Sequence, residues 1–206
     1  MNKIILDLCG GTGSWSKPYK EAGYDVRLVT LPDNDVTTYE PPADVYGILA
    51  APPCTMFSDA RTSAKLPRDL EGGWQIVEAC LRIIRRFMFN TVSDQQKYSP
   101  LKFWALENPW YGRLKWFLGY PPFVFNPYDF GDNYKKKTAI WGYFNEPIKN
   151  PVEPIIQTDH NHSKLPKFDY MKSKDIHPEY FGKYDRQTRR SITPQRFAQA
   201  FYKANQ

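Results

Sequence analysis

Cys54 stands in the run Ala51-Pro52-Pro53-Cys54-Thr55-Met56-Phe57-Ser58, directly after a small and apolar stretch at 45–50. The stretch reads as a buried strand. Two prolines end it, because proline fixes φ and offers no N–H to a sheet ladder. The chain must therefore leave the sheet in a rigid turn that holds a thiol at the carboxyl end of a strand, where open α/β folds place their chemistry. A thiol there can act as a nucleophile if its surroundings stabilise the thiolate, or it can be an inert buried residue. Glu107-Asn108-Pro109 closes another short apolar run at 103–106. This segment can be a surface turn, or it can hold a carboxyl group whose pKa burial raises until it serves as a general acid.

A third segment, Asp7-Leu8-Cys9-Gly10-Gly11-Thr12-Gly13, places glycines between a strand and a helix. Glycine lets the backbone approach a ligand closely at a helix N-terminus. A dinucleotide would want a longer Gly-x-Gly-x-x-Gly spacing and an acid closing the second strand. Here Ser16 takes the third glycine position and the second strand ends in Thr30-Leu31. A methyl donor such as S-adenosylmethionine fits better.

The elements that must position these segments are readable from periodicity. Strands are expected at 3–8, 25–31, 45–50, 103–106 and 138–142, and the turn at 10–13 leads into a helix through residue 22. Apolar residues recur at three- and four-residue spacing over 73–90, which predicts an amphipathic helix. Residues 110–118 predict another helix, with Trp104, Trp110, Trp116 and Phe117 as core. A helix at 194–204 packs through Phe197, Ala198, Phe201 and Tyr202. The strand, glycine turn, helix, strand rhythm argues for an α/β fold with a doubly wound, mostly parallel sheet. The expected organisation is a catalytic unit at 1–143, an irregular insertion at 144–189 and a packed terminal helix at 190–206.

The 206 residues are 41% hydrophobic and 16% aromatic, enough for one sizeable domain. No apolar run is long enough to span a membrane. Cys9, Cys54 and Cys80 show no disulfide spacing, which fits a reducing cytoplasm. A formal net charge of +6 and a pI near 9.1 suit a polyanionic partner. His160, His162 and His177 lack companion ligands for a metal, and Asp129-Phe130-Gly131 lacks the other segments of a kinase.

Taken in order, Asp7-Leu8-x-x-Gly11-x-Gly13, Pro53-Cys54-x-x-Phe57-Ser58, Glu107-Asn108, the segment 131–142 and Ser191 resemble the cytosine-5 DNA methyltransferase family. The resemblance covers most of the chain except about 145–189. It implies a Rossmann-like methyltransferase fold, S-adenosylmethionine as cofactor and double-stranded DNA as partner, with a monomeric, phage- or prophage-like enzyme as the expected setting. It makes Cys54 the nucleophile toward C6 of a flipped cytosine, Glu107 the group on the pyrimidine N3, and Asn108 a brace of the local loop. Lys136 and Thr138 fall where the family carries two arginines. Cofactor contacts are carried onto Asp7, Leu8, Cys9, Gly10, Gly11 and Gly13, then Thr30, Leu31 and Asp35, and finally Pro53 and Ser191. Cys9 replaces an aromatic, Thr30 an acid, Thr55 a glutamine and Arg190 an asparagine.

Nucleic-acid contacts are expected at Ser58, Arg61, Lys135, Lys137, Arg189 and Arg190, with further phosphate contacts from Lys164, Lys167, Lys172, Lys174, Lys183 and Arg186. Few side chains in so short an insertion can read base edges, so specificity should be relaxed or confined to about two to four base pairs. Three alternatives remain open from the residues. A methyltransferase of exocyclic amino groups would carry an aromatic where Cys54 stands. A non-catalytic DNA-binding relative would have lost Cys54 or Glu107. The same thiol chemistry could also act on RNA.

Overall fold

A computed structural model describes residues 3–61, 64–88, 101–132, 134–151 and 184–206. Six strands form one sheet in the order β2-β1-β3-β4-β6-β5. They are β1 (Ile4–Leu8), β2 (Asp25–Val29), β3 (Val45–Ala50), β4 (Phe103–Pro109), β5 (Phe123–Phe125) and β6 (Thr138–Tyr143). The first four run parallel, and β6 and β5 pair antiparallel at one edge. The sheet is therefore mixed rather than purely parallel. Its antiparallel edge follows from the short connections β4–β5–β6, which have no crossover helix long enough to return the chain in parallel.

Residues of β1 point alternately to two cores. Ile4, Leu6 and Leu8 pack with helix α2 (Leu70–Met88), which contributes Val77, Cys80, Ile83, Ile84 and Phe87. On the other face Ile5 joins Trp15, Tyr19, Phe103, Phe125, Phe197 and Phe201. Each fully buried aromatic or aliphatic side chain contributes about 2 kcal/mol, so helices are drawn onto both faces and the sheet is doubly wound. Asp69 accepts from the Gly72 N–H at 2.8 Å and starts α2, whose last turn carries Arg85 and Arg86 against the helix dipole. Arg82 and Arg86 both pair with Glu40, tying α2 to the loop before β3.

The first helix, α1 (Lys17–Glu21), is shorter than the pattern predicts because the glycine turn runs on to Ser16 and Pro18 lies at the helix start. The helix expected at 110–118 shrinks to α3 (Lys115–Leu118). Before it, Gly112 forms a bridge with Ser58, and a bend at 110–114 replaces the first turns. Trp116 and Phe117, expected in the core, are exposed. The chain closes with α4 (Arg186–Ser191) and α5 (Gln195–Ala204). Most of the expected insertion at 144–189 lies outside the described residues, as do the lysines from Lys164 to Lys183 and all three histidines. No helix among the described residues is long and apolar enough to cross a membrane.

Candidate active site

Three residues after β1 adopt left-handed backbone, Cys9 (φ 56°), Gly11 (φ 55°) and Gly13 (φ 68°), and curl the chain into a tight turn. Asp7 lies fully buried beneath it. Its carboxylate accepts from Ser16 Oγ at 2.5 Å. A Cβ on Gly10 would sit 2.3 Å from that carboxyl group, so glycine is required there by Asp7 itself. Burial pushes the Asp7 carboxyl up to about 6, with the Ser16 hydrogen bonds opposing the shift. Asp7 thus shapes the turn from below, and Leu8 is core.

The upper side of the turn is open. Gly11 is exposed, and the nearest group to a Cβ built there is Ser191 Oγ at 3.9 Å. The fold therefore brings Ser191 from α4 to the glycine turn, and the Thr193 N–H donates to Ser14 Oγ at 2.9 Å just beyond. Cys9 Sγ lies 3.9 Å from Cys80 Sγ, so its thiol points toward α2. Thr30 is half-buried after β2, Leu31 is exposed, and the exposed Asp35 accepts from both the N–H and Oγ1 of Thr37. Those two hydrogen bonds hold the Asp35 carboxyl below its ordinary range.

The turn after β3 is held from several sides. The N–H groups of Phe57 and Ser58 donate to Cys54 O at 3.0 and 2.8 Å, folding the segment back on itself. Asn108 Nδ2 donates to Pro52 O at 3.0 Å from the neighbouring strand β4. Arg68 donates to Met56 O (2.8 Å) and Ser58 O (2.9 Å), and the Arg113 N–H donates to Phe57 O (2.9 Å). Ser58 is itself buried, with its Oγ accepting from the Ala60 N–H, so it braces the loop. Pro53 is exposed beside the half-buried Cys54, and Arg61 is half-buried farther along.

Charge gathers around this thiol. Burial raises the Cys54 pKa, Glu107 raises it further, and Lys136 and Arg190 oppose both. Burial also lifts Glu107, against the pull of Lys136. Lys136 is lowered by burial, while Glu107 and Cys54 favour its charged form and Arg190 disfavours it. Its Nζ donates to Ile192 O at 2.9 Å, anchoring it to the chain between α4 and α5. The buried Thr138 donates to Lys136 O at 2.8 Å and fixes the entry to β6. Cys54, Glu107, Lys136 and Arg190 therefore share one electrostatic environment, though they lie far apart in sequence.

Arg190, expected as a nucleic-acid contact, lies within the electrostatic reach of Cys54 and Lys136. Lys135 is half-buried, and Arg189 donates to Asp185 O within α4 and its cap. Lys137 Nζ lies 4.8 Å from the Trp110 ring centroid, where Lys115 also approaches at 4.6 Å. Arg68 is the residue sequence reasoning missed. A guanidinium is a natural donor for a turn with free carbonyls, but nothing in the spacing says which arginine supplies it.

Among the described residues no three His, Cys, Asp or Glu side chains are grouped to hold a metal. Two shallow clefts, one beside Trp74 and Trp104 and one beside Ser14 and Pro18, lie away from Cys54.

No family model matches the chain, and no curated protein matches it. Among solved structures it is similar to a methyltransferase of Entamoeba histolytica, EhMeth, at 12% identity and a TM-score of 0.37. The match covers 80% of this chain and 58% of that one, so the chain spans little over half the length of that protein.

Proposed function

We propose that the protein is a DNA cytosine-5 methyltransferase that works through a covalent adduct on Cys54. One observation carries the reading. A cysteine and a carboxylic acid stand at the carboxyl ends of adjacent parallel strands, β3 and β4, close enough for the acid to raise the thiol's pKa, with Lys136 coupled to both. That pairing is what addition to a pyrimidine needs, a nucleophile at C6 and a proton held at N3.

The glycine turn fits the donor, since Gly11 exposes backbone with open space above it and Ser191 at its side. S-adenosylmethionine bound there would supply an electrophilic methyl group. On the chain's side, the Cys54 thiolate forms a bond to C6, and electron density moves toward C5 and N3. Glu107, whose affinity for a proton is raised by burial, places that proton at N3 and offsets the developing charge. Lys136 and Arg190 stabilise the thiolate against the desolvation that otherwise holds it neutral. With the donor bound, C5 would take its methyl group and leave the donor's sulfur as a neutral thioether. N3 returns its proton to Glu107, a base removes the C5 proton, and the returning electron pair expels the Cys54 sulfur as thiolate. Asn108, Arg68 and Arg113 keep the thiol's loop fixed throughout.

C6 cannot be reached inside a duplex, so the cytosine must leave the stack. The partner in this reading is double-stranded DNA, read with short or relaxed specificity by one copy of the chain.

The test is transfer of labelled methyl from S-adenosylmethionine to mixed-sequence duplex DNA, followed by nucleoside mass analysis, with Cys54→Ser in parallel. Label in 5-methylcytosine, reduced at least about 1000-fold in the variant, is the expected result. Label in N4-methylcytosine or N6-methyladenine would replace this reading with exocyclic amino methylation. An inert wild-type protein that still binds DNA would leave a non-catalytic relative.

A further inference from the structure

The loop after β4 leaves large aromatic rings in solvent. Tyr111 is 62% exposed, Trp116 71% and Tyr120 81%. Single exposed apolar residues need no explanation, but three large exposed rings within ten residues do. Trp116 carries its own cation, the Arg113 guanidinium, 5.3 Å from its ring centroid. These rings add little to either core. They are nevertheless organised, because Trp110 lies 6.2 Å from the Tyr120 ring and gathers two cations, Lys115 and Lys137, at 4.6 and 4.8 Å. Lys137 also reaches the Tyr111 ring at 5.9 Å. No carboxylate occurs in the sequence between Glu107 and Asp129, so this stretch carries positive charge only. The loop begins at the strand end that carries Glu107 and is bonded to the Cys54 turn through the Tyr111 carbonyl and Gly112.

Exposed rings beside fixed cations match the chemistry of unpaired nucleotides, whose bases stack on aromatic faces while their phosphates meet ammonium groups. We infer that the loop 110–120 is a stacking surface for single-stranded nucleotides next to the reactive thiol, with Tyr111, Trp116 and Tyr120 as the rings and Lys115 and Lys137 as the phosphate contacts. The inference rests on the proposed nucleic-acid substrate. It adds that the protein engages unpaired DNA, either a strand parted around the flipped base or a single strand in its own right. An apolar protein partner is disfavoured by the cations held among the rings.

The experiment is fluorescence anisotropy of a labelled 12-residue oligothymidylate at about 150 mM salt, without donor, for the wild type, Trp116→Ala, Tyr120→Ala and Trp116→Phe. Each alanine variant should lose about 5- to 100-fold in affinity for the oligonucleotide. Trp116→Phe should retain most of the binding, and a matched blunt duplex should lose less than the single strand. Both positions are exposed, so folding should be preserved, and circular dichroism checks it. Unchanged oligonucleotide affinity in both alanine variants would overturn the stacking surface. So would equal losses for duplex and single strand, or a wild-type dimer in sedimentation that Trp116→Ala dissociates. Methyl transfer to DNA by Trp116→Ala is scored separately. Label persisting in 5-methylcytosine alongside unchanged oligonucleotide binding would sink this inference and leave the proposed function standing.

Discussion

Asp7 and Glu107 are both carboxyl groups set toward the carboxyl ends of parallel strands, β1 and β4, that flank β3, and burial raises the pKa of each. Their neighbours differ. Asp7 has a hydroxyl partner in Ser16 and a glycine held clear above it. Glu107 has a cation and a thiol within its field. The first arrangement fixes backbone shape, because a neutral hydroxyl orients a carboxylate without neutralising it. The second couples three proton equilibria, so a proton gained or lost at one group alters the others. A buried carboxyl group is thus a structural brace or a chemical group according to what faces it.

The largest effect that could break this contrast is on Glu107. Glu107→Gln should lower methyl transfer by about 100- to 10000-fold, since the amide cannot give a proton to N3. The wild type needs protonated Glu107, whose raised pKa keeps that form above the usual carboxylate range, so activity should fall as pH climbs through it. The variant should lack that alkaline limb. Removing the negative charge should also ease thiolate formation, so iodoacetamide should alkylate Cys54 faster in Glu107→Gln. An alkylation rate unchanged from the wild type would separate the two groups.

Asp7→Asn should leave Cys54 alkylation as it is and act on stability instead. The Asp7 pKa of about 6 in the fold lies above the unfolded value, so the native state holds the proton more tightly. Its contribution is present below about pH 4 and is lost as pH rises through 6. The wild type should therefore lose on the order of 2 kcal/mol between pH 5 and 8 from this group. The asparagine variant should show a flatter curve in urea titrations. Asp132, also raised to about 6, keeps some slope in both proteins.

A smaller effect is expected at Arg68. Arg68→Ala removes two donors to the Cys54 loop and should lower kcat about 10-fold while donor affinity, measured by calorimetry, stays constant. Weakened donor binding would place Arg68 in the turn side of the site instead.

Much of the frame is legible in the sequence because it is local. The apolar run of β3 and the three- and four-residue spacing of α2 each follow from residues in continuous stretches. The short β5 is not, since Phe123-Val124-Phe125 sits among prolines and gains strand character only by pairing with β6. Nor is the fate of 110–118, where an apolar pattern reads as a helix but the backbone bonds to the Cys54 loop. Within the site, Cys54, Glu107 and the glycine turn are recognisable by type and position. Lys136 is placed beside them only by the family resemblance, and the company of Arg190 is not legible, because both depend on the antiparallel β4–β6 pairing and on α4 returning to the sheet. Trp116, which has the look of a core residue in the sequence, is exposed.

The return of the chain's end to the sheet has a consequence for biosynthesis. Ile192 O holds Lys136, Thr193 grips Ser14, and Phe197 stacks on Phe125 at 3.8 Å between ring centroids. A growing chain can form β1 to β4 while still on the ribosome, yet Lys136 lacks its Ile192 anchor until the segment after α4 has emerged. Chains halted before that point carry Cys54 without the apparatus that charges it.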